Sequence, residues 1–265
     1  MSRIKETFER VKSEGRAALM PYLTIGYPEK ESAKTLVPII EASGADMIEL
    51  GIPFSDPLAD GPTVQASTQK ALANGVDLRY CLETASELRA AGVKMPFNMM
   101  GYYNPIYQMG IERFAAAAKE AGVDGVIVPD LPPEEAERLD NALKAHDIDY
   151  IYFLAPTSDE SRLQLVAERA RGFIYLVSLT GVTGARSKMS AGLPEFIERV
   201  RNVTGNQTPL AVGFGISSPE TARAVGELAD GVIVGSALIK RVSDAATAEA
   251  GAGEFVSALR RGLES

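Results

Sequence analysis

The sequence predicts a (β/α)8 barrel with an extra N-terminal helix, and three observations lead to this fold class. The chain has 265 residues, of which 46% are hydrophobic, and an α/β barrel of one domain has about this length. Short β-rich runs recur eight times with room for one helix between each pair. Several of these runs are apolar at consecutive positions, which is typical of parallel strands that are covered on both faces.

The predicted strands follow one another at regular intervals along the chain. They are residues 18–23 (ALMPYL), 47–50 (MIEL), 96–100 (PFNMM), 125–130 (GVIVPD), 150–156 (YIYFLAP), 173–179 (FIYLVSL), 209–215 (PLAVGFG) and 231–236 (GVIVGS). Because a right-handed βα unit repeated eight times closes on itself, the pattern favours a barrel over an open sheet. No linker, low-complexity tract or change in composition interrupts residues 1–265, so we expect one domain.

The segments between the strands carry the start and stop signals of helices. Residues 31–44 (ESAKTLVPIIEASG) end at a glycine that is suited to a helix C-terminus. Residues 218–231 (SPETARAVGELADG) begin with a Ser-Pro cap and place Ala222, Val225 and Leu228 on one face. Both segments therefore predict helices that pack against the barrel.

The first residues of the chain predict an additional helix before the first strand. Ile4, Phe8 and Val11 recur at helical spacing and form one apolar stripe. We expect this helix to cover the bottom of the barrel. Since the segment is amphipathic and contains acidic residues, it does not resemble a secretory signal.

Composition excludes several classes of function. A formal net charge of -8 without clusters of Lys and Arg argues against binding of nucleic acid or of an anionic membrane surface. The single cysteine, Cys81, cannot form an internal disulfide, and with His146 as the one histidine it leaves no credible zinc site. No apolar stretch is long enough to span a bilayer. We therefore expect a cytoplasmic protein that acts on a small molecule.

Two carboxylates stand where the second predicted strand meets its loop, in residues 49–62 (ELGIPFSDPLADGP). In this fold the active site lies at the carboxyl ends of the strands. Glu49 has apolar neighbours such as Ile48 and Leu50, so desolvation is expected to raise its pKa, whereas Asp60 in a polar loop is expected to stay ionised. Such a pair suits acid and base roles, although a salt-bridge partner at Glu49 and a simple turn at Asp60 are the alternatives.

Glycines cluster after the last three predicted strands and indicate a phosphate site. The stretches are 181–185 (GVTGA), 213–219 (GFGISSP) and 235–237 (GSA). Glycine lets backbone N–H groups approach an anion closely, and a helix beginning near Ser217 or Ser236 would add its own amides. Each stretch taken alone is better explained as a tight turn. All three stretches, however, follow strands six to eight, where this fold usually binds phosphate. Together they therefore favour a phosphate site over three separate tight turns.

These motifs together resemble the tryptophan synthase alpha subunit family, over essentially the whole chain. The matching stretches are 21–28 (PYLTIGYP), 49–62 (ELGIPFSDPLADGP), 181–186 (GVTGAR), 213–217 (GFGIS) and 235–238 (GSAL). The resemblance implies retro-aldol cleavage of indole-3-glycerol phosphate to indole and glyceraldehyde 3-phosphate, without cofactor or metal. It also implies a tryptophan synthase beta subunit as partner in an α2β2 complex.

The resemblance assigns roles to individual residues of this chain. The catalytic carboxylates of the family fall on Glu49 and Asp60. The substrate-binding residues are Tyr22, Tyr102, Tyr175 and Thr183, and the phosphate-binding amides are those of Gly184, Gly213, Gly215, Gly235 and Ser236. For the tyrosines, ordinary core packing remains the alternative explanation.

Three other functions stay open from the sequence. A free-standing lyase that releases indole would keep the same catalytic residues as a subunit of a complex. A regulatory, non-catalytic subunit is disfavoured because both Glu49 and Asp60 are present. Another barrel enzyme that acts on a sugar phosphate, such as an isomerase, is expected to carry its acid–base pair on other strands.

Overall fold

The computed structural model describes residues 2–177, 192–213, 215–244 and 246–264. Within these ranges eight parallel strands form a closed barrel in which spatial order follows chain order, as the sequence predicts. The strands are β1 (Ala18–Thr24), β2 (Ile48–Gly51), β3 (Phe97–Met100), β4 (Gly125–Ile127), β5 (Asp149–Leu154), β6 (Ile174–Leu176), β7 (Leu210–Val212) and β8 (Gly231–Val234). The barrel closes where β8 pairs with β1.

Helices surround the barrel and connect consecutive strands. They are α1 (Arg3–Ser13), α2 (Ser32–Ala42), α3 (Pro62–Ala73), α4 (Leu78–Ala90), α5 (Tyr103–Met109), α6 (Ile111–Glu120), α7 (Glu137–Lys144), α8 (Glu160–Arg169), α9 (Leu193–Thr204), α10 (Pro219–Gly226), α11 (Ser236–Arg241) and α12 (Ala248–Glu264), with a 3-10 helix at Pro133–Glu135. Additional helices lie between β2 and β3, where both α3 and α4 occur, and between β3 and β4, where α5 precedes α6.

The helix boundaries agree with the capping signals in the sequence. Gly44 follows α2 with a φ of +101°, in the left-handed region that favours glycine. Ser218 caps α10 and forms a reciprocal capping box with Thr221, while Ala222 and Val225 are buried. The predicted strand at 125–130 is shorter than expected, because the chain turns after β4 and the Val128 carbonyl accepts a hydrogen bond from the Leu131 amide at 3.3 Å.

The extra helix α1 closes the bottom of the barrel, as predicted. Its apolar stripe of Ile4, Phe8 and Val11 is buried in the same cluster as inward-facing side chains of the strands. The Phe8 and Phe173 rings lie 5.9 Å apart between their centroids. The barrel interior is therefore filled from below by a helix, and only its upper end is left for a site.

A buried ion pair ties this lower end together. Asp46, just before β2, accepts hydrogen bonds from Arg16 at 2.6 and 2.8 Å and from the Leu19 amide at 2.9 Å. Burial alone would raise the pKa of Asp46, but these donors outweigh it and hold the pKa below its usual value. The charge pair therefore anchors the start of β2, the strand whose second residue is Glu49.

Strand register sets which side chains meet at the upper end. Glu49 on β2 pairs with Tyr22 on β1 and with Asn98 on β3. Val234, the last residue of β8, pairs with Pro21, so the turn at Gly235 lies next to Tyr22. Side chains at paired positions of a parallel sheet lie on the same face, so Tyr22, Glu49 and Asn98 form one row around the barrel.

Candidate active site

Glu49 is the most deeply buried carboxylate at the mouth of the barrel. Its residue is 1% exposed, and neither carboxylate oxygen has a hydrogen-bond partner among the described residues. Burial raises the pKa of Glu49 to about 8. The expected desolvation is thus confirmed, and no salt bridge to Glu49 occurs within the described ranges. At neutral pH this group holds a proton that it can readily lose.

Two tyrosines lie close to Glu49, and each fits against a glycine at the end of a neighbouring strand. The Tyr22 hydroxyl occupies the position that a Cβ at Gly51 would take, and the Tyr175 hydroxyl does the same at Gly213. Any larger residue at either glycine would displace the ring beside it. Both tyrosines are therefore packed against neighbouring strands. This packing is compatible with ring faces that line a pocket.

The charges of the two carboxylates act on both tyrosine hydroxyls. Burial, and then the charge of Asp60, raises the pKa of Tyr22 above its usual value. For Tyr175, burial acts first and the charges of Glu49 and Asp60 raise the pKa further. Both hydroxyls therefore remain protonated and can serve as hydrogen-bond donors.

The Tyr22 hydroxyl also ends a chain of hydroxyl groups. It accepts a hydrogen bond from Thr24 Oγ1 at 3.3 Å, and Thr24 Oγ1 lies 2.7 Å from Ser67 Oγ. The single proton of Ser67 goes either to Thr24 Oγ1 or to the Val64 carbonyl, which lies 2.8 Å from Ser67 Oγ. This chain connects β1 to α3 and so holds the helix that follows the Asp60 loop.

Asp60 is held by Tyr102, which comes from the end of the neighbouring strand β3. The Tyr102 hydroxyl donates to Asp60 Oδ2 at 3.0 Å and accepts from the Ala59 amide at 3.0 Å. Phe54 stacks on the Tyr102 ring with centroids 5.2 Å apart. One tyrosine therefore fixes both the position of the loop and the orientation of its carboxylate.

The surroundings of Asp60 differ from the polar loop expected from the sequence. Tyr102 holds the loop, and partial burial raises the pKa of Asp60 to about 6, although the hydrogen bond from Tyr102 opposes this change. The predicted order of the two carboxylates is kept, because the pKa of Glu49 is about 8. Near pH 7 Asp60 is mostly ionised and Glu49 is mostly protonated.

Two groups that the sequence offered for phosphate binding, the Gly213 amide and the helix start near Ser217, already have hydrogen-bond partners within the protein. The Gly213 amide already donates to the Leu176 carbonyl at 3.2 Å, so in this structure its N–H belongs to the barrel ladder. The amides of Ser217 and Ser218 both donate to Thr221 Oγ1 at 3.1 Å. The start of α10 is therefore satisfied by its own capping box and offers little to an anion.

The turn at Gly235 and Ser236 keeps the features expected of an anion site. Helix α11 begins at Ser236 and has no side-chain cap. A Cβ at Gly235 would lie 3.7 Å from the Tyr22 Cβ, which is an ordinary contact, so this turn lies beside the pocket. Gly215 has a φ of +64°, a conformation that favours glycine. Thr183 and Gly184, and the whole stretch 181–185, lie outside the described residues.

One residue that belongs to this row was missed in the sequence. Asn98 is fully buried beside Glu49, and its amide has no hydrogen-bond partner within the described part of the chain. A polar residue inside the otherwise apolar run 96–100 was the signal available. Without the register of β2 and β3, the sequence does not show whether this polar side chain faces into the barrel or outwards.

Within the described ranges, no group of three or more His, Cys, Asp and Glu side chains is placed to hold a metal ion. Over the same ranges, none of the helices combines the length and the apolar character that crossing a membrane requires.

Comparison with known proteins identifies close relatives over the whole chain. The family model described as "Tryptophan synthase alpha chain" matches residues 8–264. A tryptophan synthase alpha chain from Roseiflexus sp. (strain RS-1) is 54% identical over 262 residues, which cover 98% of this chain and 100% of that protein. One from Geobacter sulfurreducens is 48% identical over 265 residues, which cover 99% of each chain.

Solved structures show the same likeness. Tryptophan synthase subunit alpha from Legionella pneumophila str. Paris superposes with a TM-score of 0.88 at 38% identity, covering 100% of this chain and 99% of that one. A chain of Mycobacterium tuberculosis tryptophan synthase superposes with a TM-score of 0.91 at 37% identity, with the same coverage.

Burial of Glu49 predicts that stability falls as pH rises. The folded protein binds this proton with a pKa of about 8, against an ordinary value of 4.5. The contribution of Glu49 to folding is therefore fully present below the ordinary pKa and is lost as pH rises through the folded one, a change on the order of a few kcal/mol. Urea unfolding of the wild type and of Glu49→Gln, at several pH values across this window, measures it.

Glu49→Gln is the reference for the wild type, because glutamine stays neutral at every pH of the window. We expect Glu49→Gln to be increasingly more stable than the wild type as pH rises, while any contribution of Asp60 is common to both proteins. A constant difference across the window would contradict the raised pKa of Glu49.

Proposed function

The chain belongs to the tryptophan synthase alpha chain family, and from this premise we propose that Glu49 is the acid–base residue of its reaction and Asp60 the carboxylate that binds the indole N–H. The enzyme is a lyase of tryptophan biosynthesis, which cleaves indole-3-glycerol phosphate to indole and glyceraldehyde 3-phosphate. The observation that carries the proposal is the pair of carboxylates with unlike pKa values at one barrel mouth.

The chemistry needs a group that gives one proton and takes another. Cleavage of the carbon–carbon bond requires a proton on the substituted ring carbon of indole and removal of a proton from the adjacent side-chain hydroxyl. Glu49 is mostly protonated near pH 7, and no hydrogen bond from the described residues holds its carboxyl group away from a substrate. Once it has given its proton, a carboxylate in these apolar surroundings is a strong base for the hydroxyl.

Asp60 supports the same step by electrostatics. As the ring carbon gains its proton, positive charge develops at the indole nitrogen. An ionised carboxylate that accepts the N–H stabilises this charge, and it does so best when its position is fixed beforehand. Tyr102 provides that fixed position through its hydrogen bond of 3.0 Å.

The phosphate is assigned to the glycine turns that follow β7 and β8. We place the phosphate at the amides of Gly215, Gly235 and Ser236, with Gly184 added from the sequence. Gly213 contributes by making room for the Tyr175 hydroxyl instead of by its own amide. Tyr22, Tyr175 and Thr183 are proposed to contact the indole and glycerol parts.

We also propose that the chain acts in the cytoplasm as part of an α2β2 heterotetramer with a tryptophan synthase beta subunit. Large apolar side chains are exposed beside the mouth, with Leu58 at 93% and Tyr107 at 56%. Leu58 lies two residues before Asp60, and Tyr107 lies on α5, the helix that follows Tyr102. A partner that covers these side chains would contact the segments that hold Asp60.

Replacing the proposed acid–base residue tests the mechanism. Glu49→Gln is expected to lower turnover by at least about 10²-fold, because a neutral amide can neither give nor take the proton. Indole formation by the purified variant, with unchanged circular dichroism as the control for folding, measures it. Turnover close to that of the wild type would remove Glu49 from the mechanism.

The proposed phosphate site is tested at Gly235. Gly235→Ala is expected to weaken competitive inhibition by inorganic phosphate or glycerol phosphate, because the added methyl group stands where the oxygen approaches. Its φ of -102° lies outside the left-handed region that favours glycine, and an added Cβ would meet only ordinary contacts, the nearest being the Tyr22 Cβ at 3.7 Å. Gly253→Ala on α12, also free of close contacts, is the matched control, and equal inhibition constants in both variants would reject the site.

The proposed partner surface is tested at Leu58. Leu58→Asp is expected to weaken binding of a beta subunit by more than about tenfold, since it puts a charge where apolar area is buried. Calorimetric titration of the two proteins measures the affinity, and Leu72→Asp at the far end of α3 is the control. If the wild-type chain does not bind the beta subunit and forms indole at full rate alone, it is a free-standing lyase.

A further inference from the structure

Asn98 stands directly beside Glu49 in the barrel wall. The two residues are partners in the parallel ladder between β2 and β3, and both are buried, at 0% and 1% exposure. Asn98 turns its side chain inwards, since Asn98 Oδ1 occupies the position that a Cβ at Gly125 would take. Gly125 on the next strand therefore provides the space that the amide fills.

Both side chains lack hydrogen bonds in a place where polar groups seldom do. The two carboxylate oxygens of Glu49 and both polar atoms of the Asn98 amide have no partner among the described residues. A buried polar atom without a partner costs free energy, and such atoms in native proteins mark strain or function. Neighbouring strands lie about 4.8 Å apart, which puts the two side chains within reach of each other after a rotation.

The other groups around Glu49 differ from an amide in the hydrogen bonds that they offer. Tyr22 on β1 accepts a hydrogen bond from Thr24. Tyr175 on β6 has its hydroxyl against Gly213, and Asp60 at the mouth carries the same kind of charge as Glu49. Each tyrosine has a single hydroxyl oxygen for both roles, whereas Asn98 carries its donor and its acceptor on separate atoms, and both atoms lack a partner among the described residues.

We propose that Asn98 is a positioning residue for Glu49, whose carboxyl group it hydrogen-bonds in both protonation states. The Asn98 N–H group donates to Glu49 when the carboxylate is ionised, and Asn98 Oδ1 accepts from the carboxylic acid when it is protonated. Rotation of the amide exchanges the two arrangements, and Asn98 itself neither gains nor loses a proton. The inference rests on the acid–base role proposed for Glu49.

The proposed hydrogen bond changes the pKa of Glu49 in a direction that can be measured. A hydrogen bond to an ionised carboxylate is stronger than one to the neutral acid. Asn98 therefore lowers the pKa of Glu49 from the still higher value that burial alone would cause. Removing the amide is expected to raise that pKa by about one unit, a tenfold change in the protonation constant.

The experiment titrates Glu49 directly, so it does not depend on activity. Carbon-13 NMR of labelled glutamate carboxyl groups follows the titration, and Glu49→Gln identifies the signal. Asn98→Leu removes the amide at nearly constant volume, and Asn98→Ser keeps a smaller group that can donate and accept. Thr84→Val is the matched control, since Thr84 on α4 is also buried with no hydroxyl partner among the described residues.

The results distinguish a hydrogen bond between Asn98 and Glu49 from a general effect of removing a buried polar group. They also distinguish this hydrogen bond from the acid–base role of Glu49. We expect the Glu49 titration to move to higher pH in Asn98→Leu, to move less in Asn98→Ser, and to stay in place in Thr84→Val, with turnover falling about tenfold in the leucine variant. An unchanged titration in Asn98→Leu, or an equal shift in Thr84→Val, overturns the proposal. If Asn98→Leu does not fold, Asn98→Ala against Asn98→Ser makes the same comparison. Failure of the acid–base role itself would show as an active Glu49→Gln, whatever the titration.

Discussion

The burial of one carboxyl group within β2, that of Glu49, is the constraint on which the site depends. Helix α1 fills the barrel from below, and the Arg16–Asp46 ion pair anchors the start of the same strand, so Glu49 cannot reach bulk water through the lower end. Desolvation then keeps Glu49 protonated near pH 7. An ordinary surface glutamate at the same point of the sequence would already be ionised and could not act first as an acid.

Close packing around this carboxyl group depends on glycine at three strand positions. Gly51 and Gly213 leave room for the hydroxyls of Tyr22 and Tyr175, and Gly125 leaves room for Asn98. In each case a large polar side chain on one strand fills the space left by the missing side chain of a glycine on or just after the neighbouring strand. The mouth is therefore lined by polar tips on a tightly packed wall, which fixes their positions before a substrate binds.

The two helix starts near the glycine turns differ in how their amides are used. Helix α10 satisfies its first amides with its own capping box, whereas α11 has no side-chain cap. Glycine content alone would favour both equally. The choice between them follows from Thr221, whose hydroxyl accepts from Ser217 and Ser218 and so leaves the turn at Ser236 as the better site for an anion.

Local signals in the sequence determined the fold and the nature of Glu49. Eight apolar runs, capping residues and the stripe of α1 act over short distances, and the apolar neighbours of Glu49 already imply its desolvation. Only the tertiary structure decided what depends on contacts between distant segments. Packing of the loop beside Tyr102 gave Asp60 its raised pKa and its hydrogen bond, the ladder took up the Gly213 amide, and register placed Asn98 beside Glu49. Such contacts join residues far apart in the chain, so no local pattern records them.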